Sequence, residues 1–310
     1  MDAKVLRLIP WSCWSLVVLF LSFPVISSAS SYTLYIKSGN WTVNGSGGTT
    51  LPVWGFTDAP SAGPMVPGPQ LDAQEGDTVT VTVYNLHTKP HNFVVRGITT
   101  DQTSIPAGGS KTYVFQTPDA GVYLFSDTLN GNINREMGLY GALVVRAAGG
   151  ANKAWTNGPA YNFERLWVLS DMDKTRWNSV AASGGTVNTS VYKPNYFLMN
   201  GMGGFDAMRD PNTVLEGPLG QVGMVRIVNA GQFDQSLHFH ANHFYVIDRD
   251  GTRLSSPEPG DTINVKAGTT AMLLYTMYRP GDFPMHVHTA QMETANGVYL
   301  NGAATLIIGQ

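Results

Sequence analysis

The sequence predicts an all-β protein made of two β-sandwiches in tandem. Past residue 30 the chain consists of short segments in which apolar and polar residues alternate, and its 34 glycines and 18 prolines punctuate these segments. No long stretch there keeps apolar residues at helical spacing. Short alternating strands with frequent turn residues are typical of β-sandwiches. The third observation is an internal repeat, which indicates two copies of one fold.

The first residues have the layout of a secretory signal peptide. Lys4 and Arg7 precede the apolar stretch SLVVLFLSFPVI, and the small residues SSAS follow it. The apolar stretch is short for a membrane span, so we expect residues 1–29 to be cleaved near Ala29, leaving a secreted or periplasmic protein without a membrane segment. The alternative is a retained N-terminal anchor. The single cysteine, Cys13, lies in this segment, so the mature protein would have neither a disulfide nor a thiolate ligand.

The composition argues against a nucleic-acid partner. Only 13% of the residues are charged, the formal net charge is -3, and no run of Lys or Arg occurs. Proteins that bind nucleic acid present basic patches instead. With 310 residues and 43% hydrophobic content, the chain is long enough for one large or two ordinary domains.

Two copies of one strand pattern follow one another along the chain. EGDTVTVTVYN has its counterpart in LGQVGMVRIVN, IPAGGSKTYVFQTPDAGVYLF in VKAGTTAMLLYTMYRPGDFPM, and GLYGALVV in GVYLNGAATLII. The stretch AAGGANKAWTNGPA, rich in Gly, Ala and Asn, separates the copies and is interpreted as a linker. The sequence therefore predicts one sandwich over residues 30–150 and a second over residues 151–310.

Aligning the two copies shows where their side chains differ. When Asn85 is set on Asn229, HNFVVRG falls on QSLHFHA without a gap, and LFSDT falls on PMHVH in the same way. His91 of the first copy then corresponds to Gln235 of the second. At four other positions only the second copy has a histidine: His238, His240, His286 and His288 stand where the first copy has Val94, Arg96, Ser126 and Thr128.

These four histidines, of seven in the chain, form two His-x-His pairs. Residues i and i+2 of a strand project from the same face, so each pair offers two imidazoles on one side, and we expect the pairs to meet at one rim. Four converging imidazoles suit copper or zinc. The alternative is that they are ordinary polar residues at a domain interface.

The other three histidines have weaker patterns. His243 breaks the alternation, so we expect a structural role for it. His87 lies in NLHTKPHN and is predicted to be a solvated turn residue. His91 is a candidate ligand or active-site base, with an ordinary polar role as the alternative.

The motifs around these residues resemble those of copper proteins. QSLHFHANHF looks like the multicopper oxidase motif H-P-x-H-L-H-G-H-x-F, and FPMHVHTAQMETANGV looks like H-C-H-x-x-x-H followed by a glycine and an axial residue. In the first copy, GVYLFSDTLNGNINREMGLYGALVV looks like G-T-Y-W-Y-H-S-H ending in G-L-Y-G-A-L. The chain thus resembles multicopper oxidases such as laccases and bilirubin oxidases, and its two-domain build is similar to copper nitrite reductases. The resemblance implies two tandem cupredoxin-like Greek-key β-sandwiches.

The resemblance also implies that the copper sites survive only in part. A type 1 site needs a Cys thiolate with two His, but the corresponding residues of the second copy are Gln235, Val287, Met292 and Val298. A nitrite-reductase-like type 1 site in the first copy would fall on His91, Asp127, Asn134 and Leu139, again without a thiolate. The two His-x-His pairs match the C-terminal half of the oxygen-reducing trinuclear cluster, whose other half is replaced.

On this resemblance we expect an exported copper-binding oxidoreductase with a mononuclear, non-blue site. Its ligands would be His238, His240, His286 and His288, with one position open for O₂ or a small-molecule substrate. Relatives of this build often form trimers, and in a homotrimer Arg96, Asp127 and His91 of one subunit would line the pocket of the next as catalytic groups. The alternative for Arg96 and Asp127 is a plain surface ion pair.

Two other functions fit the same residues. The first is a non-catalytic copper carrier or a degenerate oxidase kept as a scaffold, in which Met199, Met202, Met208, Met285 and Met292 supply soft ligands for Cu(I). The second is a zinc-dependent hydrolase, for which no general base stands out in the sequence.

Overall fold

A computed structural model describes residues 29–43, 48–150 and 152–310. The predicted signal peptide, with Cys13, lies outside the described residues apart from Ala29, which begins the first strand. Strands dominate the described chain and helices are short, so the predicted all-β class is confirmed. No helix among the described residues is long and apolar enough to cross a membrane.

Eight strands form the two sheets of the first half. In chain order they are β1 (Ala29–Val43), β2 (Thr49–Thr57), β3 (Leu71–Gln74), β4 (Thr78–Asn85), β5 (Val94–Val95), β6 (Ser110–Gln116), β7 (Gly121–Ser126) and β8 (Tyr140–Arg146). One sheet has the order β2-β1-β4-β6 and the other β3-β8-β7-β5.

Thirteen strands form the two sheets of the second half. They are β9 (Phe163–Met172), β10 (Tyr196–Met199), β11 (Leu215–Gly217), β12 (Val222–Asn229), β13 (Gln235–Phe239), β14 (Phe244–Arg249), β15 (Thr252–Gly260), β16 (Thr262–Val265), β17 (Thr270–Thr276), β18 (Gly281–Val287), β19 (Thr294–Ala295), β20 (Val298–Tyr299) and β21 (Ala304–Gly309). Their orders are β15-β14-β17-β12-β9-β10-β19-β20 and β11-β21-β18-β13-β16.

The helices are single turns in the connections. They are α1 (Ile133–Glu136), α2 (Ser179–Ala182) and α3 (Gly204–Ala207), with a π-helical turn at Lys174–Asn178 and 3-10 turns at Ala148–Gly150 and Thr189–Val191. Asp173 caps the π-helical turn, because its carboxylate accepts hydrogen bonds from the backbone N–H groups of Thr175 and Arg176.

Strand β4 shows why the alternating segments fold as they do. Val79, Val81 and Val83 are fully buried, whereas the threonines between them are half-buried on the other face. Burial of each valine side chain contributes about 1.5 to 3 kcal/mol. A shift of register by one residue would exchange the two faces, so the hydrophobic pattern fixes the pairing with β1 and β6.

The same asparagine contact holds the loop after a central strand in both halves. The Asn85 side-chain N–H groups donate to the carbonyl oxygens of Lys89 and Ile105, at 2.7 and 2.9 Å. Asn229 makes the equivalent bonds to Phe233 and Val265, at 2.8 and 2.9 Å. The repeat that predicts two copies of one fold is therefore visible in matching hydrogen bonds as well as in matching strands.

Three apolar clusters form the core of the described chain. One fills the first sandwich and one fills the second. The third is shared, because it joins Val122 and Leu124 of β7 to Met224 of β12 and Met272 of β17. This shared cluster is a continuous apolar layer between the two sandwiches, which we call the shared layer.

A buried ion pair lies beside the shared layer. Arg226 is 1% exposed, and its Nε donates to Glu164 Oε2 at 3.0 Å while Nη1 donates to the Gly121 carbonyl at 3.1 Å. Arg146 of the first half also pairs with Glu164. Charges and donors from both halves therefore meet at this one carboxylate.

A second buried acid at the junction has only part of its hydrogen bonding satisfied. Glu136, at the end of α1, is 2% exposed; its Oε1 accepts the Asp173 N–H at 3.0 Å and its Oε2 has no partner. Burial raises the pKa of Glu136 well above its ordinary value. The hydrogen bond from the Asp173 N–H lowers this pKa, whereas the nearby charges of Asp171 and Asp173 raise it. The carboxyl is therefore neutral over a range of pH in which it ionises in the unfolded chain.

We expect Glu136→Gln to stabilise the protein at alkaline pH. The raised pKa means that the folded state holds the proton more tightly, so stability falls as pH rises above the unfolded value near 4.5. The amide removes this dependence. At pH 8 the unfolding free energy of the variant should exceed that of the wild type by on the order of 1 kcal/mol, and the gap should close towards pH 4.5. Denaturant unfolding across this range measures it.

Exposed Glu216 provides the matched control, since Glu216→Gln should produce no gap that depends on pH. A Glu136→Gln variant less stable than the wild type at pH 8 would contradict the neutral buried acid.

Candidate metal centre

Two neighbouring strands bring the two His-x-His pairs together. β13 and β18 are antiparallel, and His238 lies directly opposite His286 in their register. His240 and His288 follow these residues by two positions, and they extend the pair in opposite directions because the strands are antiparallel. Leu237 and Val287, on the opposite face, are buried in the core. The alternation of each strand therefore keeps its aliphatic residues inside and its imidazoles outside.

The four imidazoles form one compact cluster. Ring centroids lie 4.8 Å apart for His238 and His240, 5.1 Å for His238 and His288, and 5.3 Å for His240 and His286. The Nε2 atoms of His240 and His286 are 3.2 Å apart. Two imidazole nitrogens bound about 2 Å from one ion at a near-tetrahedral angle would be roughly 3.3 Å apart. The geometry of this pair fits a shared metal ion.

Neighbouring side chains orient two of the rings. His238 Nδ1 lies 2.9 Å from Thr262 Oγ1, which leaves its Nε2 free for a ligand. His286 Nδ1 lies 3.4 Å from Glu293 Oε1 and 3.4 Å from the Val287 carbonyl oxygen. A carboxylate and a carbonyl next to Nδ1 favour the proton on that nitrogen, so Nε2 keeps its lone pair. Glu293 is a residue that the sequence analysis missed.

Electrostatics favour the neutral form of the His240 imidazole. Burial lowers the pKa of His240, and the neighbouring His238, His286 and His288 lower it further because a second positive charge close by is unfavourable. An unprotonated imidazole is the form that binds a metal.

The single chain does not close the ligand set by itself. In the part of the chain that the structure describes, no group of three or more His, Cys, Asp or Glu residues is arranged to hold an ion. The rings of His238 and His288 are close enough, but their nitrogens do not converge with the His240 and His286 pair. His288 is exposed, so it is free to turn. The candidate centre thus has the imidazoles of His240 and His286 at a metal-binding separation, with those of His238 and His288 next to them.

The residues at the position of a type 1 site do not fit copper. Val287 is completely buried and Met292 is 9% exposed, and both belong to the apolar core of the second sandwich. Gln235 is also completely buried, and neither its amide nitrogen nor its amide oxygen has a partner. Without a thiolate or an imidazole, these residues cannot form a blue site. Met199 and Met285, candidate soft ligands, also belong to the core.

The replaced half of the trinuclear cluster lies in the first sandwich. Val94 pairs with Ser126 across β5 and β7, and Thr128 accepts a hydrogen bond from Asn92 at 3.0 Å. Arg96, half exposed, makes a bidentate ion pair with Asp250 of the second half, with Nη2 2.9 Å from Oδ2. The structure therefore assigns Arg96 a partner within its own chain.

The other two predicted catalytic residues contact each other inside the first sandwich. His91 and Asp127 are both 0% exposed, and His91 Nδ1 lies 2.6 Å from Asp127 Oδ2. Asn134 donates to the same oxygen at 3.0 Å. The residues at the nitrite-reductase-like position are thus adjacent, as a hydrogen-bonded cluster. Their burial does not allow them to line an open pocket in this structure.

The prediction for His87 is wrong. It is 8% exposed rather than solvated, because Trp54 packs against its ring with centroids 4.9 Å apart and His91 Nε2 lies 2.7 Å from its Nδ1. The sequence shows the spacing of four between His87 and His91, but it does not show that Trp54 of the earlier strand β2 packs against both rings.

Two β-sandwiches of mixed parallel and antiparallel sheets, joined by an apolar layer and with an imidazole cluster on the second, define a protein of the cupredoxin-like class. Multicopper oxidase family models match residues 40–149 and residues 179–301, which together make up about three quarters of the chain. The chain belongs to the multicopper oxidase family.

Known proteins agree with this assignment. The blue copper oxidase from Nitrosomonas europaea superposes with a TM-score of 0.77 at 23% identity, over 91% of this chain and 86% of that one. The copper nitrite reductase from the same organism gives a TM-score of 0.71 at 21% identity, over 91% and 94% of the two chains. Laccase-6 of Oryza sativa subsp. japonica is 25% identical over 259 residues, 76% of this chain. The alignment spans only 43% of the rice protein.

Substitution of the clustered histidines should weaken copper binding. His286→Ala or His240→Ala removes one of the two imidazoles whose nitrogens already face each other, and we expect copper affinity to fall at least tenfold. A ligand that binds only the folded state stabilises it by mass action, so each tenfold loss removes about 1.4 kcal/mol of copper-dependent stabilisation. Copper titration by calorimetry and thermal unfolding with and without copper measure both effects.

The exposed His243 is the matched control, because His243→Ala removes a nearby imidazole outside the cluster. Equal copper-induced shifts of Tm in the wild type and in the His240 and His286 variants would refute the site.

Proposed function

We propose that the protein is an exported oxidoreductase that uses one copper ion, held by His238, His240, His286 and His288. The observation that carries the proposal is the 3.2 Å separation of the His240 and His286 Nε2 atoms at the centre of the four-imidazole cluster. Membership of the multicopper oxidase family supports copper as the metal. The similar proteins are copper oxidases, a copper nitrite reductase and laccases, which gives the zinc alternative no support.

Copper bound here would supply one-electron redox chemistry. The residues of this chain would position the copper ion. Glu293 and the Val287 carbonyl keep the His286 ring in one orientation, and Thr262 does the same for His238. The exposed His288 leaves one side of the cluster accessible, and we propose that O₂ or a small-molecule substrate approaches there.

Four-copper laccase chemistry is not part of this proposal. An intact family member couples a type 1 copper to a trinuclear cluster. In this chain the positions that correspond to the type 1 site hold Val287 and Gln235. The positions that correspond to histidines of the trinuclear cluster hold Val94, Ser126 and Thr128. Without a thiolate copper, electrons must reach the site directly from the substrate. We therefore propose a small reductant that contacts the histidine cluster itself.

We further propose that the active form is a homotrimer. Among the described residues His288 is exposed beside the cluster, and in a trimer the face of the first sandwich that bears Arg96 would cover the cluster of the next subunit. In that arrangement the half-exposed guanidinium of Arg96 would hold an anionic substrate or a reduced oxygen species beside the metal. A permanent cation there would also oppose binding of further metal ions.

Copper-loaded protein should contain about one copper per subunit and lack an intense blue band. The blue band needs a thiolate, and no cysteine remains after the predicted cleavage near Ala29. Metal analysis gives the stoichiometry, and electron paramagnetic resonance should show a single non-blue Cu(II) signal with nitrogen ligands. Three coppers per subunit, or an intense blue colour, would overturn the ligand assignment.

Substitution of Arg96 should reduce turnover while copper stays bound. We expect Arg96→Ala to lower O₂ consumption with ascorbate as reductant by about tenfold or more, because one charged contact to a reacting group is worth at least 1.4 kcal/mol. Arg249→Ala is the control, since Arg249 is exposed and pairs with Glu258. Unchanged turnover would restrict Arg96 to its ion pair with Asp250. Stoichiometric copper without any turnover in the wild type would favour a carrier.

A further inference from the structure

A chain of hydrogen bonds runs through the first sandwich, away from the histidine cluster. His87 Nδ1 lies 2.7 Å from His91 Nε2, and His91 Nδ1 lies 2.6 Å from Asp127 Oδ2. All three side chains are less than a tenth exposed. Two imidazoles and a carboxylate are therefore linked end to end inside the protein, an arrangement that we call the buried relay.

The inner end of the buried relay acts only as an acceptor. Asp127 Oδ2 receives hydrogen bonds from His91 Nδ1 and from Asn134 Nδ2, and Oδ1 receives the Leu129 N–H at 2.8 Å. With donors on both oxygens, the carboxylate fixes the proton of His91 on Nδ1. His91 Nε2 must then accept the hydrogen bond from His87 Nδ1, which leaves the other nitrogen of His87 as a base.

The outer end of the buried relay opens onto a cavity. His87, Trp54, Lys89 and Ser183 line a space of about 310 Å³ between β2, the loop after β4 and α2. The Lys89 ammonium lies 4.9 Å from the centroid of the Trp54 ring. Asn85 fixes the loop, because its side chain accepts the His87 N–H and donates to the Lys89 carbonyl. The base and the cation are thus held in place beside one cavity.

We propose that this cavity is a binding site for a small carboxylic acid, which is bound as its anion while the buried relay takes up a proton. Lys89 offers the positive charge, and Thr88 adds a hydroxyl at the rim. Trp54 supplies an aromatic wall for the organic part of the acid. This site is distinct from the metal centre, which lies on β13 and β18 of the second sandwich.

The proton balance of binding follows from the tautomers. A proton from solvent or from the acid forms a bond to Nε2 of His87. His87 then gives up the proton on Nδ1 to Nε2 of His91, whose Nδ1 proton stays shared with Asp127. The net result is an imidazolium at His91 next to the Asp127 carboxylate, and no oxidant or further reactant is needed.

Burial explains why the relay needs its inner members. Burial, together with the nearby His91 and Lys89, lowers the pKa of His87 to about 4. A positive charge would therefore be unfavourable on His87 itself. Transfer to His91 places the charge beside the carboxylate instead. The ionisable groups near His87 are His91, Lys89 and, one hydrogen bond further, Asp127, whereas Trp54 and α2 present none.

Benzoate is a suitable probe for the experiment. Calorimetric titrations of the full copper-loaded protein between pH 6 and 8, in buffers of different ionisation enthalpy, give both the affinity and the number of protons taken up. We expect uptake of about one proton per benzoate bound, because the acid is ionised in solution in this range and its anion is paired with a new imidazolium. Affinity should therefore rise as pH falls.

Three variants separate the parts of the site. His87→Gln should abolish proton uptake and weaken benzoate binding at least tenfold, whereas Lys89→Met should weaken binding but keep the uptake. His240→Ala, altered in the metal centre, should bind benzoate as the wild type does and so separates this site from the proposed function. His243→Ala is a control for loss of an unrelated imidazole.

Two results would overturn the proposal. One is the absence of benzoate binding to the wild type up to about 10 mM. The other is proton uptake that is unchanged in His87→Gln. If His87→Gln does not fold, ¹⁵N spectra of the histidine-labelled wild type replace it. Benzoate should then shift the ring signals of both His87 and His91, with those of His91 moving to imidazolium values. Unshifted signals would refute the relay.

Discussion

The shared layer between the two sandwiches fixes how the two halves of the described chain are placed against each other. β7 contributes Val122 and Leu124 to it, and the same strand ends at Ser126, just before Asp127. Arg226 strengthens this constraint, because its buried guanidinium needs both Glu164 and the Gly121 carbonyl. Removing a partner from a buried charge costs several kcal/mol. The two halves are therefore held in one arrangement. This arrangement also determines which surfaces of each half remain exposed.

The former electron-transfer positions show two different replacements of a copper site. In the second sandwich the space is filled with hydrocarbon from Val287 and Met292, and Gln235 is left with an unsatisfied amide. In the first sandwich the equivalent position of Gln235 is His91, and a connected set of polar groups surrounds it. A buried polar network is favourable only when its members are satisfied. The groups around His91 meet that condition, whereas the amide of Gln235 does not.

The strands and the cluster were predictable because both depend on local periodicity. Alternation in DTVTVTVY predicts β4, and the spacing of two within each histidine pair places its imidazoles on one face. Contacts between distant segments were not predictable. His87 is buried by Trp54, the Arg96 partner Asp250 lies 154 residues away, and Glu293 reaches His286 through a turn of the chain. In each case the sequence names the residue, but its contact partner is set by how the chain folds, and only the Arg96 contact joins the two halves.

The paired asparagine contacts have a consequence for how such a protein changes over time. Asn85 and Asn229 each hold a loop after a central strand through the same two carbonyl groups, whatever residues the loop carries. Loop geometry is thus separated from loop chemistry. A duplicated domain built in this way can exchange a histidine for a glutamine, or a ligand for an acid–base pair, while its backbone stays the same. One half can then carry a histidine cluster while the other carries a different set of polar residues on the same backbone.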